Sequence, residues 1–281
     1  MTSSKVWFIT GATRGIGACI ARAALAAGDR VVATGRNAKA LEASLGKTAE
    51  NLLVLQADVN DEGQVSAAVE QAEAHFGRID VLVNNAGYGQ IGAFEEISAS
   101  DVEEQFKTNV FGLFTVTRAI LPIMRRQRSG HIFNISSVVG YIGRPRISIY
   151  CASKFAVSGF SEALAPEVAP FGIKVTVVEP GVFRTDFADA SSMRFGDLVI
   201  SDYAEGSAAI KTYMANANHN QQGDPDKLAR ALLTLAECDA PPVHFPVGAD
   251  ALQRFAEKHT AVDNDVAQWR DLALATAYDD A

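Results

Sequence analysis

Ser137, Tyr150 and Lys154 are the side chains of this sequence whose types and spacing amount to chemistry. A phenol has a reference pKa of about 10 and trades protons poorly near neutrality unless nearby positive charge stabilises its phenolate. Lys154 follows Tyr150 by four residues, the interval that places two side chains on one face of a helix, so its ammonium can supply that charge. Ser137, delivered by a different segment, can hold the oxygen of a carbonyl beside the phenol while a hydride arrives at carbon. The set outlines an alcohol–ketone redox centre, which requires a hydride carrier.

The first seventeen residues provide for one. Lys5-Val6-Trp7-Phe8-Ile9-Thr10 is apolar, β-branched and aromatic enough for a buried strand, and Gly11-Ala12-Thr13-Arg14-Gly15-Ile16-Gly17 runs from it into an alanine-rich helix. Gly11 permits a tight turn, Gly15 lets backbone approach a pyrophosphate, and Gly17 lets the helix sit close to the sheet. The helix N-terminus favours the phosphate charge. The spacing G-x-x-x-G-x-G is one residue longer than the common dinucleotide fingerprint.

Further strand-like runs recur at Arg30–Thr34, Leu52–Gln56, Asp80–Val83, His131–Ile135 and Lys174–Val178, with helix-period segments starting near Gly15, Asn37, Asp61, Ser100 and Tyr150. This β-α alternation predicts an α/β fold, a doubly wound, Rossmann-like parallel sheet covered by helices on both faces. Ligands of such sheets collect beyond the carboxyl ends of the strands, where strand order reverses. The second strand ends in Thr34-Gly35-Arg36 with no acid to accept from a ribose 2′-hydroxyl. Arg36, helped by Arg14, can instead pair with a 2′-phosphate, so NADP(H) is expected over NAD(H). The third strand ends in Ala57-Asp58-Val59, where Asp58 can accept from an adenine amino group and Val59 can pack the ring, or Asp58 simply caps a turn. The fourth runs into Asn84-Asn85-Ala86-Gly87, small residues that let backbone approach a ligand, and the sixth into Pro180-Gly181-Val182 with Thr185 in reach of the nicotinamide amide or the pyrophosphate.

Composition excludes several classes of function. The 281 residues are 48% hydrophobic and carry a formal net charge of −8, which suits one sizeable core and argues against a nucleic-acid partner. The basic run Arg125-Arg126-Gln127-Arg128 is expected at a solvated helix end. No run approaches the ~18 apolar residues of a membrane span, and the start at Met1 is polar, so a cytoplasmic location is expected. Cys19, Cys151 and Cys238 lack disulfide or zinc spacing, and the five histidines are scattered, so no metal is expected.

With these pieces in place the chain resembles the short-chain dehydrogenases/reductases over roughly residues 5 to 190. Thr10-Gly11-x-x-x-Gly15-x-Gly17, Asn84-Asn85-Ala86-Gly87, Ser137, Tyr150-x-x-x-Lys154 and Pro180-Gly181 occur in that family's order, and Asn109 matches its fourth catalytic position. The resemblance implies that Tyr150 is the general acid in reduction and the base in oxidation, that Ser137 orients and polarises the substrate oxygen, and that Lys154 binds the nicotinamide ribose and lowers the tyrosine pKa. It implies that Asn109 positions a water linking lysine to solvent. It also implies a cofactor site formed by Gly11, Thr13, Arg14, Gly15, Ile16, Gly17, Arg36, Asp58, Val59, Asn85, Ala86, Gly87, Tyr150, Lys154, Pro180, Gly181, Val182 and Thr185.

The C-terminus departs from the family pattern. Many members close with a seventh strand and a glycine-containing tail that builds a tetramer, whereas Pro241-Pro242-Val243-His244-Phe245-Pro246-Val247-Gly248 here leads into helical sequence through Trp269. A monomer or homodimer is therefore expected. The ending is similar to bacterial members grouped beside retinol and hydroxysteroid dehydrogenases, which implies larger apolar alcohols or ketones. One domain over 1–281 is expected, with a substrate lid at about 182–222 and a C-terminal extension at about 241–281. The pocket wall is expected from Tyr88 to Phe94, Val138 to Arg146 and Val182 to about Met214, made apolar by Tyr141, Phe183, Phe187, Met193 and Phe195. Two other functions fit the same core: a dinucleotide-sensing protein without turnover, and a 3-oxoacyl-thioester reductase.

Overall fold

The computed structural model describes residues 4–189 and 192–278. The first three residues of the polar start and residues 190 and 191 of the expected lid lie outside the described residues.

Seven parallel strands form the central sheet. In chain order its first four are β1 (Val6–Thr10), β2 (Arg30–Gly35), β3 (Leu52–Gln56) and β4 (Val81–Asn84). A short β5 (Gly89–Ile91) lies outside the sheet, β6 (Gly130–Ile135) and β7 (Ile173–Pro180) continue it, β8 (Met193–Phe195) pairs with β5 in a separate two-stranded ribbon, and β9 (His244–Val247) completes it. The order across the main sheet is β3-β2-β1-β4-β6-β7-β9. Chain direction along this order reverses between β1 and β4, so the ligand crevice opens at the carboxyl ends of those two strands.

Burial on both faces explains why the strands read as unbroken apolar runs. Val6 through Thr10 and Val81 through Asn84 are buried at every position. On one face pack α3 (Glu62–Phe76), α4 (Ala99–Phe106), α5 (Gly112–Gln127) and α6 (Ser148–Val168), around Val65, Val69, Val116, Ile120, Leu164 and Val168. On the other lie α1 (Gly15–Ala26), α2 (Ala38–Leu45) and, after α7 (Ala204–Ala217), α8 (Pro225–Ala236), around Ile20, Leu41, Leu228 and Leu232. Trp7 is fully buried in this second layer, its ring parallel to that of Phe133 at 6.3 Å, while its indole N–H reaches Asp29 Oδ2 at 2.8 Å. Side-chain oxygens cap α2 and α3: Asn37 accepts from Ala40 N and Asp61 from Gln64 N, so those helices start where the sequence places them.

Two features lie beyond the sequence reading. The first is β9, a seventh strand formed by the proline-rich run: Val177↔His244 through Pro180↔Val247 pair in parallel with β7. Pro246 is tolerated because β9 is an edge strand. The second is a widened turn of π-helix at Lys107–Phe111 between α4 and α5, which carries Asn109. After β9 comes α9 (Ala249–Leu274), whose Ala251 and Phe255 are buried while every residue from Thr260 to Tyr278 is exposed. No described helix is long and apolar enough to cross a membrane.

Candidate active site

The carboxyl ends of β1, β4, β6 and β7 deliver the expected residues to one crevice. Thr10, the last residue of β1, links the first two of these ends: its Oγ1 accepts from Asn85 N (3.0 Å) and Ala86 N (3.1 Å) and donates to Val83 O (3.3 Å). Asn85 Nδ2 returns the contact, donating to Thr10 O and Gly11 O at 3.0 Å each. The backbones are so close that a Cβ on Gly11, which has φ +63°, would stand 2.9 Å from Ala86 Cα, and one on Gly17 would strike the Asn85 amide. Glycine at both places is therefore a steric requirement. Asn85, expected as a ligand contact, spends its side chain holding the glycine turn.

Lys154 is the centre of the arrangement. It stands one turn after Tyr150 on α6, is 6% exposed, and donates from Nζ to Ile135 O at 2.8 Å, the last carbonyl of β6. Its Nζ lies 5.8 Å from the Tyr150 ring centroid, and a Cβ on Gly87 would come 3.7 Å from it. Ser137 begins the short helical turn Val138–Gly140, its Oγ accepting from Val139 N at 3.3 Å. That bond fixes the oxygen and leaves the hydroxyl proton to donate. The Ser137 side chain also hydrogen-bonds Tyr150. Serine, phenol and ammonium are thus brought together.

Electrostatics sharpen their roles. Burial raises the Tyr150 phenol above its ordinary value, and the bond to Ser137 opposes this only in part, so the phenol carries its proton at neutral pH. Burial pushes the Lys154 ammonium down to about 8. Desolvation disfavours both charged forms. The pair as built is a protonated acid beside a cation near its titration point.

Asn109 is buried in the widened turn. Its Oδ1 accepts from Tyr88 N (3.0 Å), and its Nδ2 donates to Tyr88 O (2.9 Å) and Ser153 Oγ (3.2 Å). Both amide hydrogens are committed, so a water beside it can be held only through an acceptor oxygen. Asp58 performs the turn role weighed for it, its Oδ1 accepting from Asn60 N at 3.0 Å. Val59 is buried against Gly112. Thr13 packs over Gly35 at the end of β2, Ile16 packs against the apolar layer beneath α1, and Thr185 lies beside Gly15, its Oγ1 accepting from Phe187 N at 3.3 Å. Arg14 donates to Ser192 Oγ at 2.6 Å across the crevice. Arg36 is exposed and makes no hydrogen bond or ion pair among the described residues.

The expected wall divides into two groups. Phe187 faces the Tyr150 ring at 5.8 Å between centroids, and Met193 and Gly89 close in beside it. Phe183 instead turns into the apolar layer shared with α8, and Tyr141 stacks on Phe255 at 4.0 Å with its hydroxyl against His259. Phe195 lies under Lys211, 5.3 Å from its ammonium. The segment 182–222 is fastened by Ser207 Oγ, which donates to Glu96 Oε2 (2.6 Å) and accepts from Arg146 Nη1 (3.1 Å). It also brings Asp186, Asp189 and His219 within 4.8 Å of one another, although the sequence reading assigned no metal. The cysteines are free thiols, and burial pushes Cys19 up to about 11 and raises Cys151.

One contributor escaped the sequence reading. Asp250, in the first turn of α9, accepts from Val182 N at 3.0 Å through Oδ2, and its carboxylate fills the space where a Cβ on Gly181 would project. It pins the turn Pro180-Gly181-Val182 from behind. Nothing in its local sequence marks it, because the contact exists only once β9 has brought the C-terminus alongside β7.

This arrangement defines an oxidoreductase, and comparison with known proteins gives its class. Residues 5–194 match the family model for short chain dehydrogenase, and the chain belongs to that family. It is 42% identical over 98% of its length to oxidoreductase BOA17 of Botryotinia fuckeliana, all of which is covered. A short-chain dehydrogenase structure from Streptomyces avermitilis superposes with a TM-score of 0.89 at 37% identity, covering 98% of this chain and 100% of that one. A short chain dehydrogenase/reductase from Burkholderia phymatum, determined in complex with NAD, gives 0.77 at 26% identity, covering 98% and 96%.

Three outcomes test the site. Tyr150→Phe is expected to leave cofactor binding intact and to lower ketone reduction by about 10²–10⁴-fold, read from the nicotinamide absorbance; turnover near wild type excludes the proposed acid. Lys154→Met removes an ammonium whose folded-state pKa lies below its ordinary 10.5. That depression costs stability below about pH 8 and is relieved as pH rises from 8 towards 10.5. The variant is therefore expected to be more stable than wild type at pH 7 by about 1–3 kcal/mol, read from its denaturant unfolding, while losing activity. Asp250→Ala removes a hydrogen bond worth about 1 kcal/mol and is expected to raise the Michaelis constant for the cofactor several-fold with little change in turnover.

Proposed function

We propose that the protein is an NADP(H)-dependent reductase or dehydrogenase of a secondary alcohol–carbonyl pair, with an apolar carbonyl compound as substrate. The observation that carries the cofactor preference is Arg36, an exposed guanidinium at the end of β2 that makes no hydrogen bond or ion pair among the described residues, where the sequence Thr34-Gly35-Arg36 offers no carboxylate to accept from a ribose hydroxyl. Arg14, at the glycine turn, is the second cation of that corner. The crevice fits a dinucleotide: the glycine turn leaves backbone open at Gly15, and α1 presents its N-terminus there. Gly11, Gly15, Ile16 and Gly17 would hold the pyrophosphate, with Ala86, Gly87, Pro180, Gly181, Val182 and Thr185 towards the nicotinamide and Asp58 and Val59 towards the adenine.

When bound, the dinucleotide supplies or accepts the hydride. The chain's own residues handle the proton. In reduction Ser137 donates a hydrogen bond to the carbonyl oxygen, and Tyr150 transfers its phenolic proton to that oxygen as negative charge develops. Lys154 compensates the phenolate left behind, which is why its charge matters near its own titration point. In oxidation the same phenolate takes the alcohol proton. Phe187 and Met193 close an apolar wall over the reacting centre, which excludes water and favours an aliphatic or ring-bearing substrate.

A panel of ketones and alcohols with each cofactor, followed by nicotinamide absorbance, tests the activity. Arg36→Asp tests the preference: it is expected to weaken NADPH binding by at least ten-fold and to leave NADH binding within about two-fold. Equal losses for the two cofactors remove Arg36 from phosphate recognition.

A further inference from the structure

We propose that Glu179 and His244 form a positioning pair for the catalytic helix, holding Lys154 in register with Ser137 through a polar seam that runs behind the active site. This role rests on the oxidoreductase reading above and adds to it residues that touch neither substrate nor cofactor.

The seam starts from the catalytic stripe itself. Tyr150, Lys154, Ser158 and Glu162 follow one another at four-residue intervals on α6, so the face that carries the acid and the cation continues as a face of polar groups. Ser158 Oγ lies 3.0 Å from Ser136 Oγ, and Ser136, the residue before the catalytic serine, lies 3.0 Å from Lys154 O as its donor. Ser158 also faces Glu179 and favours its charged form. Glu179 is fully buried at the end of β7, immediately before Pro180-Gly181. Both its oxygens lie 3.1 Å from His244 Nδ1, and His244 Nε2 lies 3.1 Å from Glu162 Oε1. One connected set therefore ties together the end of β6, the catalytic face of α6, the end of β7 and the edge strand β9.

A buried carboxylate is costly unless paired, and a strand interior has no structural need of one. An apolar residue at 179 would fill the space without that cost. What a carboxylate offers is directionality: both its oxygens face the His244 imidazole, whose other nitrogen meets Glu162 on α6, and so it fixes the height of α6 against the sheet. The groups facing Glu179 are Ser158 and Glu162 from α6, His244 from β9 and Tyr141 from the turn after Ser137, which feels its charge. Burial pushes Glu179 up to about 7, with His244 opposing and Glu162 reinforcing the shift. A carboxyl raised in this way stabilises the fold most below its ordinary range and loses that contribution as pH rises to about 7.

The test is the pH profile of turnover at saturating NADPH and ketone in wild type, Glu179→Gln, His244→Gln and Glu162→Gln. Wild type is expected to show an ionisation near pH 7 in kcat, and Glu179→Gln to lose it together with roughly ten-fold in kcat, with the Michaelis constant for the cofactor unchanged. His244→Gln removes the imidazole that opposes the shift of Glu179 and is expected to move the ionisation upward; Glu162→Gln removes the carboxylate that reinforces it and is expected to move it downward. A general packing defect would not produce opposite shifts, and the two partly exposed positions keep the test available if Glu179→Gln does not fold. Wild-type kcat and pH profile in all variants that fold overturn the pair's role. Absence of nicotinamide-linked turnover in wild type overturns the functional reading, and this role with it.

Discussion

The burial of one ammonium organises this molecule. Lys154 is removed from water between α6 and the carboxyl end of β6, where its ammonium donates a hydrogen bond to the Ile135 carbonyl. Desolvation alone would drive such a group to neutrality, whereas the proton transfer proposed for Tyr150, whose ring it faces, calls for its charge. The surrounding structure satisfies both demands by surrounding the lysine with fixed dipoles and small residues. Gly87 leaves room above it and Asn109 clamps the strand beside it, while Ser136 secures the backbone of its own helix turn.

That demand explains why so much of the site is devoted to position. Thr10 and Asn85 lock the ends of β1 and β4, Ser137 spends one lone pair on its own turn, and Asp250 braces the segment after β7. None of these bonds alone is worth more than a few kcal/mol. Together they hold groups from four strand ends to the tolerance that proton and hydride transfer require. Tyr150 is kept as a protonated phenol because its pocket is dry, and Ser137 already stands beside it.

Much of this was legible in the sequence. Unbroken apolar strands alternating with helix-period segments fixed the doubly wound sheet, since only burial on both faces produces that pattern. The glycine turn, Asn84-Asn85-Ala86-Gly87 and Tyr150-x-x-x-Lys154 are local signals, and each lies where its segment predicts. What sequence could not show depends on contacts between distant segments. The proline-rich run at 241–248 gives a poor strand signal, yet β7 offers an open edge and Pro246 costs little there. Asp250, His244 and the buried Glu179 follow from that one strand. Tyr141 and Phe183 read as pocket residues by type, but both turn to the packing created by the same C-terminal segments. Asn85 shows the reverse case: its neighbourhood was legible, its partner was not.

The position of β9 at the end of the chain also has a bearing on biosynthesis. The strand that seals the sheet pairs with residues some 67 positions earlier, as Val177↔His244, and non-local parallel pairing is slow to form because loop closure precedes its reward. A chain emerging from the ribosome can assemble the glycine turn and the catalytic helix while the flank of β7 remains bare. The brace that Asp250 sets behind the turn after β7 must therefore wait until β9 has emerged and docked on that flank, so the last wall of the crevice is raised well after its floor.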